Sequence, residues 1–300
     1  MTTYTHEFFA MASDCSLRLE VEDAGLAHAA AGAAEAEVRR IEAVYSRYRA
    51  DSVISKINAA AAAGRDIAVG PETAGLIRFA QACHARSDGA FDVTTGPLRE
   101  VWTFAEPRLP DPAQVAARLP RIGLDKLRLA DGRLGFARPG MEIDFGGVGK
   151  EYAADRAARI CMDLGVRHGF VNLAGDIRVI GPQPDGAPWR FGVRHPREPE
   201  AAVGVFELSE GALATSGDYE RFFEIEGRRF CHILDPRTGW PARGLSSVSV
   251  VAGQCLVAGA LATAAMVLGR SGAAWLAGLA VSHLVVDEPS VGVEPLVVTC

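Results

Sequence analysis

No two cysteines in this chain lie close enough to form a zinc knuckle or a redox pair. The six (Cys15, Cys83, Cys161, Cys231, Cys255 and Cys300) are widely spaced and include no C-x-x-C. Buried thiols are expected instead. There is no long basic block either: 31 Lys+Arg against 37 Asp+Glu leave a net charge of -6, which argues against a nucleic-acid surface. The first residues lack a basic start and an apolar run of signal-peptide length, and Cys15 has no lipid-anchor context, so a cytoplasmic protein is expected. The most apolar run, 255–269, is shorter than the roughly 20 residues that cross a bilayer and reads as a buried helix. No internal repeat or low-complexity linker interrupts the 300 residues, so one domain spanning 1–300, built as two merged lobes, is expected.

What is present is strand blocks broken by helices. A strand around 16–21 precedes an Ala-rich stretch from about 25 to 49, in which Ala34, Val38, Ile41, Tyr45 and Tyr48 fall on one helical face. Asp51-Ser52 offers a cap for a short turn through Ile57, and 58–64 reads as an Ala-rich loop. Pro71 at a first-helical position and Gly89 as a left-handed stop bound the next helix. Strands are predicted at 126–129, 134–137, 141–145, 169–173, 177–180, 189–194, 203–208, 219–225, 228–234, 246–252, 284–286 and 296–298. With many hairpins and few regular βαβ units, the pattern predicts an α+β fold with a largely antiparallel sheet and packed helices.

Two stretches combine turn chemistry with polar groups. In Cys231-His232-Ile233-Leu234-Asp235-Pro236-Arg237-Thr238-Gly239-Trp240-Pro241 an apolar run enters a turn forced by Asp, Pro and Gly, which would hold His232 and Asp235 on a rigid corner beside Arg237 and Thr238. In Asp144-Phe145-Gly146-Gly147-Val148-Gly149-Lys150 a strand, a glycine turn and a helix running to Leu164 make an arrangement suited to an anion. The spacing fits neither G-x-G-x-x-G nor G-x-x-x-x-G-K-[ST], so neither a dinucleotide fold nor a P-loop is signalled.

These stretches stand in order with Ala10-Met11-Ala12-Ser13, Ser46-Arg47-Tyr48-Arg49, Gly89-Ala90-Phe91-Asp92, Asn172-Leu173-Ala174-Gly175-Asp176 and Ala214-Thr215-Ser216-Gly217-Asp218-Tyr219-Glu220-Arg221. Together they resemble the ApbE family, the FAD:protein FMN transferases, through most of the chain. The resemblance implies an ApbE-like fold that cleaves the FAD pyrophosphate and transfers FMN to a Ser or Thr hydroxyl of a target flavoprotein, with AMP leaving and Mg²⁺ assisting. It implies a flavin site lined by Met11, Tyr48, Ala90, Phe91, Asp92, Gly146, Tyr152 and Ile233. His232 is the candidate base, since its ordinary pKa lies near the working pH, and Asp235 orients either the histidine or the turn.

One departure stands out. Family members usually carry A-D-A-L-A-T on the last helix, with the Asp and Thr on the metal, whereas this chain has Ala258-Gly259-Ala260-Leu261-Ala262-Thr263. The Thr263 hydroxyl, the Ala262 carbonyl and the Gly149 carbonyl remain as metal ligands. Positions 259 and 263 share a helical face, and Mg²⁺ is normally held by one or two carboxylates with phosphate oxygens and water. Metal binding is therefore expected to be weakened, borrowed from the phosphates of FAD, or partly restored by an acid such as Glu151 or Asp144. A plain packing need for a small residue at 259 is the other reading. Smaller departures are Ala12 and Ala174 for usual glycines, and Glu151 after the lysine. Two alternatives to FMN transfer stay open: FAD hydrolysis to FMN and AMP, and flavin binding without catalysis. The usual acceptor segment, D-G-x-[ST]-G-A-[TS], is absent from the chain, so self-modification at such a segment is not expected.

Overall fold

The computed structural model describes residues 1–198, 200–287 and 297–299. The chain opens with a hairpin of β1 (Thr2–Ala10) and β2 (Ser13–Val21), followed by helices α1 (Ala24–Tyr45) and α2 (Val53–Ala62), strand β3 (Ile67–Ala68) and α3 (Pro71–Arg86). After the short α4 (Pro112–Ala116) come β4 (Leu127–Ala130), β5 (Arg133–Phe136) and α5 (Gly149–Asp163). Strands then dominate: β6 (Gly169–Leu173), β7 (Asp176–Gly181), β8 (Trp189–Arg194), β9 (Ala202–Leu208), β10 (Ala212–Gly217), β11 (Phe222–Ile225), β12 (Arg228–Cys231) and β13 (Leu245–Ala252). Helices α6 (Cys255–Leu268) and α7 (Ser271–Gly278) precede β14 (His283–Asp287) and β15 (Val297–Thr299).

Eight strands form one sheet in the order β1-β2-β6-β7-β10-β13-β14-β15, and every neighbouring pair in it is antiparallel. The α+β, largely antiparallel expectation is borne out. Alternation along the strands assigns residues to two faces. Ala212 and Ala214 of β10, Val248 and Val250 of β13 and Val285 of β14 join the main core beneath α1, α5 and α6. Their neighbours Leu213, Val251, Leu284 and Val286 point the other way. There the β8–β9 hairpin covers them with Trp189, Phe191 and Phe206, so the centre of the sheet is buried on both faces. A third cluster, Leu98, Trp102, Val115, Ile122, Phe223 and Phe230, backs the β11–β12 hairpin.

Several local expectations are corrected. Residues 58–62 are helix rather than loop: Ser52 caps α2 by accepting the Ser55 N–H at 3.0 Å, and Ile54, Ile57, Ala60 and Ala61 form its buried stripe. Residues 141–145 form no strand of the sheets, and Glu142 makes a single bridge to Thr95. Their main chain is satisfied instead by a side chain. Asn58 on α2 donates to the Ile143 carbonyl at 3.0 Å and accepts the Ile143 N–H at 2.8 Å, and the Asp144 N–H reaches the Val93 carbonyl at 2.8 Å. Strand β10, which reads as a polar motif, was not expected, nor were the edge strand β1 and helix α7. Of the last predicted strand, Leu296 lies outside the described residues.

Candidate functional site

Asp144 organises the glycine turn. Its Oδ1 accepts the Gly146 N–H at 2.9 Å, and the Phe145 carbonyl takes the N–H groups of Val148 and Gly149 at 3.0 and 2.7 Å, which leads the chain into α5. The other carboxylate oxygen of Asp144 pairs with Arg47. Arg47 in turn donates to the Tyr48 hydroxyl at 2.8 Å and lies 4.9 Å over its ring. Tyr48 is therefore tethered next to the glycine turn while remaining 78% exposed. An aromatic face held open to solvent suits a planar ligand. On another side stands Met11, whose Cε would lie 3.5 Å from a Cβ built on Gly149. Met11 and Ala12 both have positive φ (54° and 57°), as a two-residue hairpin turn between β1 and β2 requires, and Glu42 Oε1 accepts the Met11 N–H at 2.8 Å.

The other expected flavin residues differ among themselves. Phe91 is only 2% exposed and lies in the main core, and Ala90 is equally buried. Asp92 is fully engaged. Its Oδ1 accepts the Thr94 N–H and hydroxyl at 2.6 and 2.5 Å, and its Oδ2 accepts the Leu124 N–H at 3.0 Å with the His84 ring at 3.2 Å. The Tyr152 hydroxyl donates to Glu72 at 2.8 Å, joining the Arg40–Glu72 ion pair. Ile233 is buried beside the corner that carries His232.

That corner is built from main-chain bonds. The Asp235 carbonyl accepts Gly239 N–H at 2.7 Å, its N–H donates to the Trp240 carbonyl at 2.8 Å, and Ala242 N–H reaches the Ile233 carbonyl at 2.8 Å. Gly239 has φ +74°, and a Cβ there would meet Val115 Cγ1 at 2.6 Å, so only glycine fits. Trp102 Nε1 donates to the Gly239 carbonyl at 2.8 Å from within the third cluster. Asp235 serves the turn rather than the histidine: its carboxylate accepts the Arg237 N–H, Nε and Nη2 at 2.9, 2.9 and 3.0 Å. His232 Nδ1 lies 3.3 Å from the Arg221 carbonyl. A carbonyl only accepts, so Nδ1 carries the proton in the neutral ring and Nε2 is the basic nitrogen. The residue is exposed on one side. The protein on its other side desolvates the imidazolium, Arg221 and Lys150 add repulsion, and the pKa falls below the ordinary 6.5.

Helices α5 and α6 meet behind the glycine turn. Asp155 joins them: its two oxygens each accept an N–H at 2.9 Å from the start of α6, those of Cys255 and Leu256, with Arg178 at 3.5 Å. One turn earlier on α5, Glu151 is 7% exposed, and its Oε2 has no hydrogen-bond partner among the described residues. Burial pushes its carboxyl above the usual range, as it does for Asp176. On α6 the Thr263 hydroxyl meets the Ser216 hydroxyl of β10 at 3.0 Å, which joins two of the sequence motifs. Among the described residues no three His, Cys, Asp or Glu side chains gather into a metal cluster. An orphaned carboxylate oxygen together with hydroxyl and main-chain oxygens is nevertheless a donor set that fits a hard divalent cation, which keeps water and phosphate oxygens as further ligands. In the sequence Ser216 stands out only within its motif, and the link from Arg47 to Asp144, whose partners lie 97 positions apart, leaves no local signal. No helix among the described residues is long and apolar enough to cross a membrane.

The ApbE family profile matches residues 11–284. The FAD:protein FMN transferase of Haemophilus influenzae is 31% identical over 250 residues, covering 79% of this chain and 71% of that protein. Among solved structures, an ApbE protein of Thermotoga maritima superposes with a TM-score of 0.89 at 34% identity over 95% of this chain and 94% of its own. The apo flavinyl transferase ApbE of Pseudomonas stutzeri also gives a TM-score of 0.89, at 30% identity over 99% of this chain and 94% of its own.

Proposed function

This chain belongs to the ApbE family, and from that premise we propose that it transfers FMN from FAD to a Ser or Thr hydroxyl of a target flavoprotein, releasing AMP, as one transferase domain. The observation that carries this reading is the convergence at the glycine turn. Tyr48, reaching it through Arg47 and Asp144, and Met11, packed toward Gly149, flank the start of α5. The reported relative is a transferase by name, and nothing in the site favours FAD hydrolysis or binding without catalysis.

In the transfer, the acceptor oxygen forms a bond to the FMN phosphorus, the pyrophosphate P–O bond breaks, and AMP leaves with the bridging oxygen. His232 Nε2 takes the hydroxyl proton, and its lowered pKa keeps it unprotonated near neutral pH. The Nδ1 contact to the Arg221 carbonyl fixes the tautomer and aims the ring. Asp235 keeps the corner rigid, and Tyr48 offers its face to the flavin ring system. Gly146 leaves the turn open for close approach. Phe91, Ala90 and Asp92 support this lining from below rather than touching the ligand with their side chains. The Gly149 and Ala262 carbonyls and the Thr263 hydroxyl would hold Mg²⁺, which when bound neutralises pyrophosphate charge.

Incubation of the protein with FAD, Mg²⁺ and a candidate flavoprotein acceptor, followed by mass spectrometry of the acceptor, tests the reading. A covalent FMN adduct on Ser or Thr is the expected result. Free FMN and AMP without adduct, or intact bound FAD, would overturn it.

A further inference from the structure

Glu151 poses a physical problem that the transfer chemistry does not solve. An ionised carboxylate stripped of water and left without a partner costs several kcal/mol, which is why buried acids are normally paired or ligate metal ions. Asp155, one turn further along α5, is paired in that way, whereas Glu151 Oε2 has no hydrogen-bond partner among the described residues. Its place in the fold explains the difference. A Cβ built on Gly259 of α6 would lie 2.6 Å from Glu151 Cγ and 2.7 Å from Glu151 Oε1. The carboxyl group of Glu151 thus fills the volume that the first side-chain atom at position 259 would take. Gly259 sits one turn before Thr263 on the same helical face, and Glu151 follows two residues after Gly149 on α5. The acid is delivered from α5 to the spot beside the cation donors that a carboxylate on α6 would otherwise reach. Glycine inside a helix is unfavourable relative to alanine. Here even alanine would collide with Glu151.

We propose that the Glu151 carboxylate is the anionic ligand of the divalent cation, supplied across the α5–α6 contact in place of a side chain at position 259. The inference rests on the flavin-transfer reading for the identity of the neighbouring donors. Positions 151 and 259 then act as alternatives: one acid fits between the helices, from either side, and two do not.

The test measures cation binding rather than turnover. Mn²⁺ alone is titrated into the protein by electron paramagnetic resonance, and Mg²⁺ into the FAD-saturated protein by calorimetry, with thermal melts of the cation-free forms. The forms compared are wild type, Glu151→Gln, and the double variant Glu151→Ala/Gly259→Asp. Glu151→Gln is expected to weaken both cations by about 10- to 100-fold while melting no lower than wild type, since it removes a buried unpaired charge. The double variant is expected to recover most of the lost affinity by returning the carboxylate from the α6 side. Equal Mn²⁺ affinity in wild type and Glu151→Gln overturns the proposal, as does a wild type that transfers FMN without binding either cation. A folded double variant that stays as weak as Glu151→Gln also overturns it. If FAD fails to bind while Mn²⁺ affinity still depends on Glu151, the ligand assignment stands and the flavin reading falls.

Discussion

Two corners of this molecule each pair a histidine with an aspartate, and they have opposite fates. At the end of α3, His84 and Asp92 face each other at 3.2 Å, and the carboxylate also takes three donors from Thr94 and Leu124. Both carboxylate oxygens of that aspartate are engaged within the fold. After β12, His232 and Asp235 are closer still in sequence, but Asp235 binds Arg237 while His232 leans on a main-chain carbonyl, and its other ring nitrogen has no partner among the described residues. The first corner is closed by its own hydrogen bonds and the second is left open by them. A site able to do chemistry is marked by unused capacity, and the residue types alone do not reveal it.

The largest effect is expected from His232→Ala. It should lower kcat for FMN transfer by about 10²- to 10⁴-fold with an unchanged melting temperature, and a variant that keeps near-wild-type kcat would remove the base from the open corner. Asp92→Ala should do the reverse. Leaving the donors of Thr94, Leu124 and His84 without their acceptor should cost about 3–5 kcal/mol in denaturant unfolding, with FAD binding preserved in whatever fraction stays folded. Gly259→Asp alone, which forces a side chain against Glu151, should lose about 1–3 kcal/mol by overpacking. The loss should disappear when Glu151→Ala is added, and additive effects in that cycle would mean the two positions do not share space.

Smaller effects follow from protonation and backbone. The Asp92 hydrogen bond holds His84 above its ordinary pKa of 6.5, so its contribution to stability is full below that value and is lost as pH rises through the raised pKa. The melting difference between wild type and His84→Gln should therefore be larger at pH ~5.5 than at pH ~9. His232, shifted the other way, should place the acid limb of the transfer rate below 6.5. Ala174 has a positive φ of 57°, so Ala174→Gly should stabilise by up to about 1 kcal/mol, read from the urea midpoint.

What was legible in the sequence follows the range of the interaction. The glycine turn before α5, the hairpin of β6 and β7 and the forced turn at Asp235 rest on neighbours a few residues apart, and each appears where its local chemistry points. His232 stands out because a corner and a histidine coincide in the chain. Residues 141–145 look like a strand because their alternation is correct, but Asn58, 85 positions away, supplies the bonds that a partner strand would have made. The aromatic character of Phe91 is visible in the sequence, whereas its burial in the main core is not. The crowding of Glu151 against Gly259 needed two helices brought side by side, and the sequence shows only that one acid is absent and another is present.

The bond from the Trp102 indole to the Gly239 carbonyl spans 137 positions. Contacts so distant along the chain close late, because the loop entropy must be spent before the contact returns anything. The turn at Asp235 rests on local main-chain bonds, whereas its docking rests on the cluster around Trp102. Without the cluster around Trp102, the corner that carries His232 would lack the anchor that docks it.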